Sequence, residues 1–207
     1  MKFDTLMVGA LVVAQVCAQD RMPPIPADKM TAAQKEAAKQ LASTPRTAGL
    51  NGPFVPLLRS PEFMNRLQRV GEYLRFQSPL NPKLREMTIL IAARYWTQQY
   101  EWDAHFPLAM KNGLKREIGM AIAQGRHPEG MSDDEEAVYN FATELLQTRG
   151  VSDVTYARVA GKTGDQGVVD LTGLLGYYSS LAMVMNVART PAGTGGDAPK
   201  LGAFPNR

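Results

Sequence analysis

The sequence concentrates ionisable and aromatic side chains in residues 100–105, which read YEWDAH. Residues four apart lie on the same face of an α-helix, so Glu101 and His105 would be neighbours within one helix. A carboxylate beside an imidazole orients the ring and stabilises its charged form. Such a pair suits general acid–base catalysis near neutral pH, although the same spacing is also common on a solvated helix face.

Three further polar residues are placed to share this site. Arg94 and Gln98 fall near the stripe of Glu101 and His105 if helical geometry continues upstream. Glu86 lies on the preceding predicted helix and could face the same space. We therefore take His105, Glu101 and Glu86 as the candidate catalytic residues.

The numbers of histidines and cysteines argue against metal and thiol chemistry. The chain has two histidines, and His127 is predicted to lie in a surface loop. Glu101 and His105 offer two candidate ligands, whereas a catalytic zinc takes three from the protein. The one cysteine, Cys17, would be removed with an N-terminal signal peptide. Neither a metal nor a cofactor is predicted.

The N-terminus has the features of a signal peptide, with an apolar segment at residues 6–16 and small residues before a cleavage site near Ala18. We expect an exported protein, periplasmic or secreted, with 1–18 as signal peptide and 19–59 as a Pro-rich linker and helical arm. The formal charge of +3 is spread without a basic run, so nucleic acid is not an expected partner.

The elements that must position the site are helices, because capping signals and 3.6-residue periodicity recur and no alternating strand pattern is present. Capping signals at Thr31, Ser60, Asn81 and Ser132 open four of them. Leu84, Met87, Thr88, Ile91 and Ala92 are spaced as one buried face. Pro107 predicts a break near residues 97–100 and a restart that puts the proline in or near a first turn.

The C-terminal third predicts two helices, 154–162 and 166–187, followed by a loose Gly/Pro-rich tail from 191 to 207. The second helix is very apolar, but Asp170, Asn186 and its glycines favour a buried packing helix over a membrane span. The predicted domain is therefore 60–190, it is all-α, and the mature chain is expected to have no stable membrane span.

Several segments, in this order, resemble the carboxymuconolactone decarboxylase family: LREM at 84–87, YEWDAH at 100–105, GLKREI at 113–118, and 171–178 ending in GYY. The resemblance extends over about 61–189. It implies a compact alkylhydroperoxidase D-like helical domain that forms a homo-oligomer with sites near subunit contacts.

Related alkylhydroperoxidase D peroxidases carry a Cys-x-x-Cys-x-x-x-His motif after an upstream glutamate. Aligning the histidines places His105 on the motif histidine and Glu86 on that glutamate. Gln98 and Glu101 then occupy the two cysteine positions, so this chain resembles the cysteine-less branch with Glu-Trp-x-x-His. Peroxidase chemistry by thiols is accordingly disfavoured.

The resemblance implies cofactor-free loss of CO2 from a small carboxylated lactone or a related acid. His105 would supply a proton to the resulting enolate, with Glu101 fixing the ring. Arg85 or Arg94 could hold a substrate carboxylate, and Gln98 and Trp102 are further candidate contacts. A peroxide-related role without cysteine and a non-catalytic oligomeric binding protein remain the alternatives.

Overall fold

The computed structural model describes residues 20–45, 49–194 and 196–202, and within them the secondary structure is entirely helical. The predicted all-α class is thus confirmed, while the predicted signal peptide lies outside the described residues. The helices are α1 (Ala32–Ala42), α2 (Phe54–Leu57), α3 (Pro61–Glu72), α4 (Pro82–Tyr95), α5 (Gln99–Lys111), α6 (Arg116–Ala123), α7 (Asp133–Thr148) and α8 (Asp153–Ala188). A short 3₁₀ turn, Ala27–Lys29, precedes α1, and a π-helical turn, Tyr73–Gln77, follows α3.

Most of the predicted helix starts are confirmed. Thr31 and Ser132 each form a full capping box, and the Asn81 side chain accepts from the Lys83 amide at the start of α4. Ser60 stands at the N-cap of α3 but its side chain makes no capping hydrogen bond, so that part of the prediction is wrong. Pro61 at the first helical position supplies the start signal there.

Helix α4 forms the centre of the core and packs against α5, α6, α7 and α8. The predicted buried face is confirmed, and Ile89 and Leu90 on other sides of the helix are also fully buried. Protein therefore surrounds most of α4, and its polar residues Glu86, Thr88 and Arg94 are buried.

The turn between α4 and α5 determines which residues meet in the site. Thr97 takes the left-handed conformation (φ 50°), and the Gln98 amide donates to the Ala93 carbonyl in the pattern of a Schellman motif. The break was predicted at this place. However, α5 then continues through Pro107, which lies in its third turn on an exposed face, so the predicted first-turn position is wrong. Packing of α5 on α4 outweighs the one hydrogen bond that the proline removes.

Helix α8 bends at Gly164 (φ 68°, ψ 174°), which divides it into the two helices that the sequence predicts. Among the described helices, α8 alone is long and apolar enough to cross a membrane. Helices in the core of a globular protein can have the same length and composition. In the most apolar 18-residue stretch of α8, about 61% is buried against the rest of the protein.

The segment after Pro191, expected to be loose, lies against the helices over its described residues. The Gly202 carbonyl accepts from Arg94, and the Leu201 amide donates to Gln99. Arg116 on α6 donates to the Asp197 carbonyl. This packing could not be predicted from residue types, because the contacts use backbone groups of the segment that any residue provides.

Candidate active site

Glu86 on α4 and His105 on α5 form the shortest contact between ionisable groups of the predicted site. Glu86 Oε2 lies 2.6 Å from His105 Nδ1, and both residues are about 4% exposed. Burial opposes ionisation of Glu86, but the hydrogen bond and charge of His105 and the charge of Arg75 outweigh it and lower its pKa. An ionised carboxylate only accepts hydrogen bonds, so Nδ1 carries the proton and donates it.

Glu101, one helical turn before His105, lies on the other side of the ring. Its Oε2 is 3.6 Å from His105 Nε2, and Glu101 is also about 4% exposed. That separation is too long for a good hydrogen bond, so the contact is mainly electrostatic. We expected Glu101 to fix the ring; in the structure Glu86 holds it, and Glu101 stands where it would stabilise a charge on Nε2.

A pocket of about 330 Å³ opens beside this pair. Glu101 and His105 line it together with Tyr178 of α8, residues of the loop before α2, and Arg75 of the π-helical turn. The ring of Tyr178 packs edge-on against His105, with the centroids 5.0 Å apart. The ionisable side chains of the site are therefore buried beside a pocket large enough for a ligand, and they do not lie on a solvated helix face.

The loop before α2 lines one side of the pocket and contacts Tyr100 of α5. The Tyr100 hydroxyl donates to Asn51 Oδ1 at 3.0 Å, and Gly52 (φ 51°) rests on the Tyr100 ring. A Cβ added at Gly52 would lie 2.2 Å from a ring carbon, so only glycine allows this approach.

The other predicted site residues lie outside this pocket. Arg94 donates to Gly202 and lines a smaller cavity of about 80 Å³, while Arg85 is half-buried on α4 away from the pocket lining. Gln98 caps α5 by accepting from the Tyr100 amide. Trp102 is fully buried in the core against Phe106. The helical stripe that joined Arg94 and Gln98 to His105 is lost because the chain reverses at Thr97.

Arg75 and Tyr178 are among the pocket residues that were not predicted. Arg75 lies in a turn that reads as ordinary exposed helix, and nothing in its neighbours indicates a π-helical turn. Tyr178 belongs to an apolar segment whose periodicity indicates only core. Burial raises the pKa of the Tyr178 hydroxyl well above its usual range, so this group is a neutral phenol.

Fold and site together define an all-helical protein with a buried carboxylate–imidazole pair at the edge of a small pocket. Residues 61–144 match the model of the carboxymuconolactone decarboxylase family. The matched segment contains Glu86, Glu101 and His105, whereas α8 and Tyr178 lie beyond it. No curated protein shows a significant sequence match to the chain.

Proposed function

We propose that the protein is a cofactor-independent carboxy-lyase, or a related enolising enzyme, acting on a small carboxylated lactone or similar unsaturated acid. One observation carries the proposal. The buried imidazole of His105 is held at Nδ1 by the ionised carboxylate of Glu86, 2.6 Å away. His105 also lines a pocket of about 330 Å³. That volume suits a ligand of small size.

In the proposed reaction, the bond between the substrate carboxylate and its carbon breaks, and CO2 leaves. The electron pair passes into an adjacent unsaturated carbonyl and forms an enolate. His105 Nε2–H then donates a proton to carbon, and water returns a proton to the imidazole. One proton is consumed for each CO2 released, so no external oxidant or reductant is required.

The two glutamates would have separate roles. Glu86 keeps the proton on Nδ1 and fixes the ring, so that Nε2 is the atom that exchanges protons with the substrate. Glu101, at 3.6 Å from Nε2, stabilises the imidazolium that exists before proton donation. A non-catalytic binding protein would have no need for a buried, doubly flanked imidazole, since burying charged groups is costly.

The test is a panel of small carboxylated lactones and unsaturated keto acids, assayed for CO2 release and for deuterium uptake from D2O by NMR. His105→Ala is expected to lose about a hundredfold or more in turnover. His105→Gln, which keeps a donor for Glu86, separates loss of chemistry from loss of folding.

The other histidine supplies a matched control. His127 also faces a glutamate, with Nε2 at 3.3 Å from Glu136, but its side chain is 55% exposed. His127→Ala should retain wild-type turnover. Full turnover in folded His105→Ala would overturn the proposal, and binding of the panel without turnover in the wild type would favour a binding protein.

A further inference from the structure

We propose that Arg75 binds the substrate carboxylate, and that Asp170 is a positioning residue that holds Arg75 in the pocket by clamping the π-helical turn 73–77. This inference rests on the proposed function and extends it, because it names the group that selects an anionic substrate. It also replaces the two arginines, Arg85 and Arg94, that the sequence offered for this role.

Arg75 is the one lysine or arginine among the described residues that line the pocket. Its guanidinium has five N–H donors, and Nε is buried without a hydrogen-bond partner. No hydrogen bond or ion pair joins Arg75 to another residue in the described part of the chain. It is half-buried, and it stacks over the ring of Phe76, 5.0 Å from the centroid. An oriented cation whose donors are unused, at the wall of a pocket, is suited to bind a carboxylate.

The carboxylates already in the site do not occupy Arg75. Glu86 and Glu101 both face His105, and neither forms an ion pair with Arg75. Glu86 is committed to His105 at 2.6 Å. Burial opposes the charge of Arg75, but the nearby Tyr178 and Glu86 raise its pKa, so the cation persists at every physiological pH.

The π-helical turn explains why Arg75 faces the pocket. The Ser78 amide donates to the Tyr73 carbonyl, five residues back, which inserts one residue relative to an α-helix. Each residue added to a turn rotates the side chains that follow it, so Arg75 faces the pocket while Leu74 faces the core. Such turns are uncommon and are often found at functional sites.

Asp170 on α8 holds both ends of this turn. Its carboxylate accepts from the Ser78 hydroxyl at 2.6 Å and from the Tyr73 hydroxyl at 3.2 Å. Asp170 is only 5% exposed, and Gln166, one turn earlier on α8, donates to the same Tyr73 oxygen. A buried carboxylate that joins the first residue of a turn to the residue after its end fixes the direction of the side chains between them.

The experiment compares an anionic probe with a neutral analogue of the same skeleton. One is a five-membered unsaturated lactone with a single acetate side chain, and the other is its methyl ester. Calorimetric titration should show that the wild type binds the acetate on the order of ten- to a hundredfold tighter than the ester. Arg75→Gln should remove this preference and leave ester affinity unchanged, while Arg75→Lys should keep part of it, since the charge remains but the planar fork is lost.

Arg69→Gln is the matched control, because it removes the same charge from the exposed part of the preceding helix α3. It should bind both probes as the wild type does. Asp170→Asn and Ser78→Ala should each reduce the preference for the acetate several-fold while ester affinity holds. A purely structural Asp170 would instead lower thermal stability and weaken both probes equally, which would overturn its positioning role.

The result for Arg75 is independent of turnover. If the wild type prefers the acetate through Arg75 but no compound releases CO2, the proposed reaction fails and the anion site stands. If CO2 is released and Arg75→Gln keeps both turnover and the preference for the acetate, Arg75 is not the anion site and the proposed reaction stands. Equal binding of the two probes by the wild type would also overturn the inference.

Discussion

Glu86 Oε2 lies 2.6 Å from His105 Nδ1, although the two residues are 19 positions apart, whereas Glu101, only four positions from His105, stays 3.6 Å from Nε2. The tertiary partner is therefore the hydrogen-bonded one, and the partner within the helix is not. The two carboxylates therefore differ in their proposed roles: Glu86 orients the ring of His105, and Glu101 stabilises its positive charge.

The first prediction is an unequal effect of the two carboxylates on turnover. Glu86→Gln should lower kcat by about a hundredfold or more, because an amide no longer requires the proton to reside on Nδ1. Glu101→Gln should cost about tenfold, since a 3.6 Å contact orients little. Steady-state kinetics on the substrate found in the panel measures both. Equal losses, or a larger loss for Glu101→Gln, would contradict this division.

The sequence predicts features that depend on local signals, and it does not predict contacts between distant segments. Helix starts follow from local signals at Thr31, Asn81 and Ser132, and each is in place. Glu101 and His105 were identified from their spacing within one helix and Glu86 from its place on the preceding helix, and the family resemblance also covers all three. Arg75 was missed, since the turn that directs it is held by hydrogen bonds that Asp170, on a helix nearly a hundred residues later, accepts from Ser78 and Tyr73. No local pattern reports such a contact.

Tertiary packing also explains why Pro107 does not lie in the first turn of α5, where the sequence predicted it. Local propensity disfavours a proline in the third turn of a helix by about 3 kcal/mol. The packing of α5 against α4 exceeds this cost, and that packing is a property of the folded chain. Arg94 was misplaced for a related reason, because the left-handed Thr97 reverses the chain between it and His105.

The second prediction concerns the buried hydroxyl of Tyr178. This oxygen is inaccessible and has no hydrogen-bond partner among the described residues. Tyr178→Phe should therefore raise the free energy of unfolding by about 1 kcal/mol, because an unsatisfied polar group is removed. Tyr100→Phe is the matched control and should lower it by a similar amount, since the Tyr100 hydroxyl donates to Asn51. Urea unfolding measures the free energy of unfolding of both variants. Lower stability of Tyr178→Phe would show that the Tyr178 hydroxyl has a hydrogen-bond partner.

The third prediction concerns the pH dependence of the Glu135–Lys83 ion pair, which joins α7 to α4 at 2.7 Å. Burial opposes ionisation of Glu135, but the Lys83 and Ser132 hydrogen bonds outweigh it, so its pKa falls below the ordinary 4.5. A lowered pKa in the folded state stabilises the protein above pH 4.5, and this contribution is lost as the pH falls through the folded value.

Glu135→Gln keeps the capping geometry but removes the charge. It should lower the free energy of unfolding by about 1–2 kcal/mol at pH 7, and the difference from the wild type should shrink below pH 4.5. Glu62→Gln breaks an ion pair with Arg66 whose side chains are 75–79% exposed, so it should change stability little at any pH. Unfolding curves across the pH range measure both variants. A difference for Glu135→Gln that grows in acid would contradict the sign.

The fourth prediction tests the contact between the loop before α2 and the pocket wall. Gly52 and Gly49 both have positive φ, 51° and 63°, so alanine is strained at either position. At Gly49 an added Cβ meets nothing within 4 Å, whereas at Gly52 it would lie 2.2 Å from the Tyr100 ring. The two substitutions therefore share the backbone cost of about 1 kcal/mol and differ in the clash.

Gly52→Ala should lower the free energy of unfolding by at least about 1 kcal/mol more than Gly49→Ala, because the Tyr100 ring must move and lose its hydrogen bond to Asn51. The double variant Gly52→Ala/Tyr100→Ala should recover that extra loss, since the ring that Cβ strikes is gone. Urea unfolding of the wild type, Gly52→Ala, Tyr100→Ala and the double variant gives the coupling, and Gly49→Ala is measured beside them. Equal losses for the two glycine variants, with no recovery in the double variant, would mean that Gly52 does not rest on Tyr100 in solution.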